Sequence, residues 1–414
     1  MAAITSTPLL AARRSDIFHL YAARAARGLG DGFAFIILPA YLSELGFNPF
    51  QIGVVATAAL LGTATTTLAV GFLAARYDLR NLLLIGAGVM ALTGLAVANF
   101  HALAAIVIIV FLGSLNPSTG DLGMIVPLEH AMLARGAQDE ERTKVFARYS
   151  LIGTASTAAG ALGAAMPDFL VSLGTGRLAA LEVMFYVYAA LGVVGTLLYR
   201  RLPHVHPQHT TPGAAGLGPS RRTVYKLAAL FSLDAFAGGF VVPSLLALWL
   251  FERFDLSLAV ASVFFFWTNV LSALSFPVAA RLARRFGLIN TMVFTHIPSS
   301  LCLVLAAFSP SLPIVLGLLL VRAALAQMDV PTRTSYVMAV VTPAERTAAA
   351  SVTAVPRTLA SSVSPVLSGA LLATSFAGLP LVACGVLKIA YDIALLLSFR
   401  HVKPPEERGT SGAS

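Results

Sequence analysis

Met124-Ile125-Val126-Pro127 returns as Met328-Asp329-Val330-Pro331, and Glu141-Arg142-Thr143 returns as Glu345-Arg346-Thr347, each pair 204 residues apart. A second echo, at an offset of 209, sets Leu73-Ala74, Arg76, Tyr77 and Asn81 against Leu282-Ala283, Arg285, Phe286 and Asn290. Self-similarity at a near-constant distance fixes architecture before any local pattern does, and it reads here as two copies of one unit of about 200 residues.

Composition says what the unit is built for. Asp, Glu, Lys and Arg make up 11% of the 414 residues and apolar side chains 57%, whereas a soluble domain carries about 25% charged residues. Lipid accommodates that much apolar surface in helical runs of about 20 residues. Such runs place helices over 19–44, 50–75, 82–100, 103–133, 144–170 and 178–199, and again over 224–251, 257–283, 289–308, 311–341, 346–374 and 378–399. The expected fold is an all-α membrane protein with twelve transmembrane helices in two six-helix pseudo-symmetric halves. The chain then divides into an N-terminal segment (1–18), an N-terminal half (19–199), a linker (200–223), a C-terminal half (224–400) and a tail (401–414).

Positive charge near helix ends is retained in the cytoplasm. One set of connections holds Arg13, Arg14, Arg76, Arg80, Arg135, Arg142, Lys144, Arg200, Arg201, Arg221, Arg222, Arg281, Arg284, Arg285, Arg346, Arg400 and Lys403, and the alternate set holds only Arg177 and Arg253. An even number of spans in the cell membrane with both termini cytoplasmic fits this alternation. The net charge of +9 is thus mostly topology. Dispersed over separate loops, the basic residues form no patch or motif for nucleic acid. The first long segment contains Arg24, Arg27 and Asp31 and follows no cleavable signal, so it is expected to stay attached.

Cys302 and Cys384 both fall within spans, far apart in sequence, and read as packing residues rather than a disulfide or metal pair. His204, His206 and His209 sit in a linker rich in proline and glycine, without the spacing of a metal site. No cofactor or metal is expected. The partners expected are a small solute, protons and lipid, with a monomer as the default state.

Charges inside spans are costly and point to function. Asp31, Asp121, Asp234 and Asp329 occupy helices 1, 4, 7 and 10, the same two positions of each unit, and are the candidates for proton coupling. Asn116, Asn269, Arg322 and Arg357 are candidates for binding solute. Arg76, Asp78, Arg80, Glu129, Arg148 and Arg333 are candidates for gating. Plainer readings stand beside these. Arg27 with Asp31, and Lys388 with Asp392, are one turn apart and suited to neutralise each other. Glu129, Arg148 and Arg333 lie toward helix ends, where ion pairing or snorkelling is common. Arg322, Arg357, Asp121 and Asp329 read as lacking a partner at helical spacing. Gly153, Gly160 and Gly163, with Ser364, Ser368 and Gly369, allow close helix contact. Pro39 and Pro243 permit bends in helices 1 and 7. The Phe264-Phe265-Phe266-Trp267 run suits lipid or packing contact, or an aromatic ligand.

The stretch Gly71-Phe72-Leu73-Ala74-Ala75-Arg76-Tyr77-Asp78-Leu79-Arg80, with its degenerate twin Arg281-Leu282-Ala283-Arg284-Arg285-Phe286-Gly287, resembles the Gly-x-Leu-Ala-Asp-Arg-x-Gly-Arg loop of the major facilitator superfamily. The resemblance spans about residues 19 to 400. Ala75 stands where the family usually has Asp, so the locking role of that Asp does not carry over, and Asp78 is the candidate to replace it. An Arg ahead of Gly in helix 4, common in the drug-proton antiporters of the family, is absent: Asn116 precedes Gly120, and the comparable Arg is Arg322. The resemblance implies two six-helix halves rocking about a central site. The function expected is secondary active transport by alternating access, in the form of proton-coupled efflux of a small organic solute. The alternatives are an organic-anion or metal-cation transporter, or a non-transporting membrane receptor of the same fold. No nucleophile with its base and no metal-ligand spacing supports an enzyme.

Overall fold

The computed structural model describes residues 6–118, 123–136, 142–205, 217–342 and 345–399. The described chain is helical, and it divides into two compact units, Met1–Thr210 with Asp255–Phe266, and Thr211–Phe254 with Trp267–Ser414.

Unit 1 carries α1 (Ser6–Glu44), α2 (Pro49–Leu73), α3 (Leu79–Asn99), α4 (Leu103–Leu112), α5 (Ile125–Gly136), α6 (Arg142–Gly163), α7 (Met166–Ser172) and α8 (Arg177–Tyr199). The next helices in chain order are α9 (Arg221–Gly239), α10 (Pro243–Phe254), α11 (Leu258–Phe286) and α12 (Leu288–Phe308). They are followed by α13 (Leu312–Ala326), α14 (Asp329–Val340), α15 (Arg346–Leu372) and α16 (Leu379–Phe399). Counting α9 with α10 and α13 with α14 as single segments, eight helical segments among the described residues are long and apolar enough to cross a membrane. The other segments are α1 and α15, which carry intramembrane charge, and the divided or shorter helices α4 to α7.

Four of the twelve expected segments are each two helices rather than one. Each second helix carries a proline in its first turn. Proline lacks an N–H, and its ring clashes with the carbonyl four residues earlier. Gly163 ends α6 four residues before Pro167, and Gly239 ends α9 four before Pro243. Gln327 closes α13 four before Pro331, and Gly123, at φ +127°, lies four before Pro127 at the start of α5. Three of the four partners are glycine, which turns a carbonyl away at no steric cost. With Gln327 the exception, the helix continues where the residue four before the proline is not glycine: Pro39, Pro277, Pro298, Pro356 and Pro365 all lie inside unbroken helices. The repeated Met-x-Val-Pro is therefore a restart signal, since α5 begins at Ile125 and α14 at Asp329, 204 residues on. Helices 4 and 10 were expected to be continuous, and Pro39 does not interrupt α1.

The first helix also begins earlier than expected, at Ser6 rather than 19. Beyond Pro8 the segment to Leu20 holds no glycine or proline, so nothing in it stops the helix.

In unit 1, α1 packs along α6 and α8, and α3 along α8. A β-carbon at Gly160 would run into the Leu29 carbonyl and one at Gly32 into that of Thr157, so glycine on both helices sets the α1–α6 crossing. Unit 2 repeats the pairing with α9 on α15. There serines of α15 join Gly239 of α9 at the contact: Ser364 Oγ donates to the Phe236 carbonyl at 2.5 Å and Ser368 Oγ to that of Phe240 at 2.6 Å. Each unit has its own core, around Leu83, Leu133, Tyr149 and Tyr199 in unit 1 and around Val293, Tyr336, Tyr391 and Leu395 in unit 2. The ends of the linker pack on the units, with Leu202 and Val205 on the first core and Leu217 on the second.

Candidate functional site

Unit 2 gathers charge from four helices into its interior. Asp234 on α9 lies between two cations: Lys388 Nζ on α16 donates to its Oδ1 at 2.6 Å, and Arg333 Nη1 on α14 donates to its Oδ2 at 3.0 Å. The same Arg333 nitrogen is 3.2 Å from Asp329 Oδ2, one turn earlier on α14. Lys388 also approaches Nε2 of His296, on α12, at 3.3 Å, while Nδ1 of that ring is 3.1 Å from both carboxylate oxygens of Asp392. An ammonium only donates, so Nε2 accepts from it and Nδ1 carries the proton toward Asp392. Asp392 is fully buried and His296 is 2% exposed. The carboxylates of Asp234, Asp329 and Asp392 are thus set against the cations Arg333 and Lys388 and the ring of His296. Burial without compensation would be prohibitive, and each of these acids has a partner.

Two expectations fail here. Lys388 and Asp392 are one turn apart but do not pair; each turns to another helix. Asp329 was read as lacking a partner at helical spacing, yet Arg333 supplies one at i+4. His296 was missed, although an ionisable ring within an apolar span is itself a functional signal.

Unit 1 builds a smaller cluster of inverted sign. Arg27 on α1 pairs with Glu129 on α5 at 2.7 Å. Tyr149 and Tyr199 donate to the two oxygens of Glu129 at 2.6 and 2.7 Å, closing the shell of a fully buried carboxylate. Arg27, one turn before Asp31, directs its Nη2 to Glu129 and Tyr149. In this unit the cation is on the first helix and the anion on the restarted one. In unit 2 the first helix supplies Asp234 and the restarted helix Arg333, the residue 204 positions after Glu129.

Beside this cluster unit 1 encloses a pocket at the break between α4 and α5. Its polar lining includes Asp31, Thr63, Thr66, Ser114, Asn116 and Tyr188, and Arg27 reaches it from α1. Met90, Met124 and Ile125 supply apolar surface. Tyr188 Oη lies 3.5 Å from Asp31 Oδ1 and 3.2 Å from Ser114 Oγ.

At one end of unit 1, Asp78 caps α3 by accepting from the Asn81 N–H at 3.1 Å, and it accepts from the Val205 N–H at 2.7 Å. Arg80 donates to the Arg200 carbonyl at 2.7 Å and lies 2.6 Å from His204 Nε2. Asp78 thus joins the start of α3 to the chain leaving α8, within one unit. In unit 2 Glu345 does the corresponding work. It accepts from the hydroxyls of Thr342 (2.6 Å) and Ser220 (2.7 Å) and from the N–H groups of Gly218 (2.6 Å) and Ser220 (3.2 Å). These donors, the Thr342 hydroxyl foremost, hold its carboxyl down at about 2 from an ordinary 4.5.

The remaining candidates are scattered. Arg76 and Arg148 are exposed, and Asn269 is half-buried on α11. Arg357 is half-buried on α15, its Nε without a hydrogen-bond partner, and it forms no ion pair among the described residues. The guanidinium of Arg322, half-buried on α13, likewise makes no hydrogen bond or ion pair among them. Asp121, His206 and His209 lie outside the described residues. In the aromatic run, Phe264 and Phe265 are buried, with Phe265 edge-on to Phe35 at 5.2 Å, while Trp267 is 50% exposed. Cys384 is buried and Cys302 half-buried, both as free thiols. Among the described residues no group of three or more His, Cys, Asp and Glu side chains is placed to hold a metal ion.

Residues 20–233 and 227–414 each match the family model of the Major Facilitator Superfamily. An uncharacterized membrane protein of Saccharomyces cerevisiae is 23% identical over 424 residues, with 94% of each chain covered. Among solved structures, a D323A mutant of the nucleoside transporter NupG superposes with a TM-score of 0.76 at 15% identity, over 93% of this chain and all of that one. A bacterial homolog of the human lysosomal transporter Spinster gives 0.70 at 14% identity, covering 94% and 95%. A bacterial homologue of the iron transporter ferroportin gives 0.70 at 14%, covering 92% and 98%. At these identities the likeness is one of fold.

Proposed function

Because this chain belongs to the major facilitator superfamily, we propose that it is a secondary active transporter that exports a small organic solute against an entering proton by alternating access. The family and its transporter neighbours indicate a transporter rather than an enzyme. The proton-coupled reading rests on one observation, the buried network of carboxylates, cations and His296 in unit 2.

A proton added to such a network cannot be neutral in effect. At His296 Nε2 it turns the acceptor of the Lys388 ammonium into a donor, so the two groups repel and Lys388 is freed from its place between His296 and Asp234. At Asp234 it removes the anion that holds Arg333 and Lys388 together. Either event shifts the balance between two arrangements of α9, α12, α14 and α16, and a ligand or proton moves such an equilibrium by its differential affinity for the two states. Asp31 and Asp121 in unit 1, with Asp234 and Asp329 in unit 2, remain the candidate coupling acids, joined by His296 and Asp392. Arg322, Arg357, Asn116 and Asn269 are kept as solute-binding candidates. The Arg76, Asp78, Arg80 and Arg148 region, with the Glu129 and Arg333 pairs, serves as gate. In this reading the halves 19–199 and 224–400 are the moving bodies, the linker 200–223 joins them, and the arginine-rich connections and both termini face the cytoplasm.

The test begins with a thermal-shift screen of the purified protein against solutes at two pH values, since a ligand of the folded state raises its stability. Solutes that bind are loaded into proteoliposomes and their exit is timed with and without an acid exterior. Acid outside is expected to accelerate exit through the wild type and not through Asp234→Asn. Equal rates with and without the gradient would refute coupling, and no exit of any bound solute would favour a receptor.

A further inference from the structure

The start of α11 is held by two side-chain oxygens, one from its own segment and one from another helix. Ser257, the residue before the helix, accepts from the Val260 N–H at 3.2 Å through its hydroxyl, as an N-cap does. The N–H of Ala259 goes elsewhere: Asp168 Oδ2, on α7, accepts it at 2.9 Å. The first N–H groups of a helix have no intrahelical acceptor and carry the positive end of its dipole. A carboxylate placed there holds the helix end by a charge-assisted hydrogen bond as well as by its field.

Both partners of this bond lie in unit 1, which takes in residues 255–266, whereas α11 from Trp267 onward belongs to unit 2. Asp255, in the left-handed region at φ +49°, turns the chain out of α10 toward the segment. Leu258, Ala261, Ser262 and Phe265 are buried at the i, i+3, i+4 and i+7 positions of one stripe, and Phe265 meets Phe35 of α1 edge-on at 5.2 Å. The stripe gives the segment its apolar seat, and Asp168 supplies a directional polar bond beside it.

The place of Asp168 follows from the break after α6. Gly163 ends α6, Pro167 stands in the first turn of α7, and Asp168 follows it. α8 begins just beyond, at Arg177, and runs the length of unit 1 to the end where the Val205 N–H meets Asp78. Asp168 and Asp78 therefore mark opposite ends of the same unit, each with its carboxylate on backbone N–H groups. The repeat does not carry this acid: the position 204 residues on is Leu372, and no Asp or Glu occurs between Glu345 and Asp392.

We infer that Asp168 is a latch, whose carboxylate holds the start of α11 on α7 and keeps the end of unit 1 away from Asp78 closed until the Ala259 N–H is released. The inference rests on the alternating-access reading and adds to it a gating residue at the end opposite Arg76, Asp78 and Arg80. Asp168 acts through α11 and is a positioning residue, so its test must separate gating from mere loosening.

The test reads accessibility. In a background carrying Cys302→Ala and Cys384→Ala, Ser262→Cys puts a thiol of nearly the same size on the buried stripe, where Ser262 is 1% exposed. Its reaction with a membrane-impermeant maleimide is timed in vesicles of both orientations, beside Ser114→Cys in the same background. Asp168→Ala removes the acceptor, and Asp168→Asn keeps an acceptor oxygen without the charge. Losing a hydrogen bond to a charged group is expected to speed labelling of Ser262→Cys about tenfold in Asp168→Ala, with Asp168→Asn in between. Because one side opens as the other closes, labelling of Ser114→Cys from the opposite side should slow in Asp168→Ala. Thermal unfolding of each variant confirms that it is folded. Unchanged labelling of Ser262→Cys overturns the inference, and so does faster labelling at both ends, which a merely loosened structure would give. Ser114→Cys reached from both sides, with Ser262→Cys indifferent to Asp168→Ala, overturns the latch and leaves transport intact. Ser114→Cys reached from one side alone, with Ser262→Cys faster in Asp168→Ala, does the reverse.

Discussion

Asp234 illustrates how little of a buried site is written along the chain. Its partners Arg333 and Lys388 are 99 and 154 residues away, and no periodicity in the sequence links them. Removing one member of a buried ion pair strands the other and costs about 3–5 kcal/mol. Asp234→Asn is therefore expected to lower the unfolding free energy in detergent by about that amount. A double-mutant cycle with Lys388→Met should recover part of it, because the second change removes the stranded cation. Additive losses would mean that the two side chains are not coupled. Glu345 makes a different statement, about pH. Its carboxyl is held at about 2 in the folded chain against an ordinary 4.5, so its contribution is fully present above pH 4.5 and is lost as pH falls toward 2. Between those values the Tm of the wild type is expected to fall more steeply than that of Glu345→Gln. Parallel curves would show that the four hydrogen bonds from Thr342, Ser220 and Gly218 do not favour the charged form.

At the scale of elements, the helix segments were legible and their interruptions were not, although the information was present. Hydropathy averages over a break of two or three residues, as at Gln327-Met328 between α13 and α14. The spacing of Gly123, Gly163, Gly239 and Gln327 to the prolines four residues later, set against the unbroken helices around Pro298 and Pro365, carries what the averages lose. Pro331→Ala restores a donor opposite the Gln327 carbonyl and is expected to join α13 to α14. Hydrogen exchange at residue 331 should then be slow and transport impaired, whereas Pro298→Ala, inside a continuous helix, should leave transport unchanged. Fast exchange at 331 in the variant would mean that tertiary packing, rather than proline, sets the break. The charges on these elements were also only half legible. Asp31, Asp234, Asp329 and Glu129 stand out as acids in apolar surroundings, but their shells of Tyr149, Tyr199 and His296 come from other helices, where only folding brings them into reach.

Across the whole molecule, the 204-residue repeat gave the architecture, and the departures from it gave the candidate sites. Glu129 against Arg333 inverts the sign of the buried pair between units, and Ile125 stands in α5 where Asp329 stands in α14. The two units thus share a scaffold and differ in their buried charge, with a pocket beside the Arg27–Glu129 pair in unit 1 and a larger ionisable network in unit 2. Alternating access requires that the pocket of unit 1 be reached from each side of the membrane in turn. Ser114, which lines that pocket, reports on this directly. In a background carrying Cys302→Ala and Cys384→Ala, Ser114→Cys is exposed to a membrane-impermeant maleimide in right-side-out and in inverted vesicles. Labelling from both sides is the expected result, and labelling from one side alone, under every condition of pH and bound solute, would contradict transport by this chain.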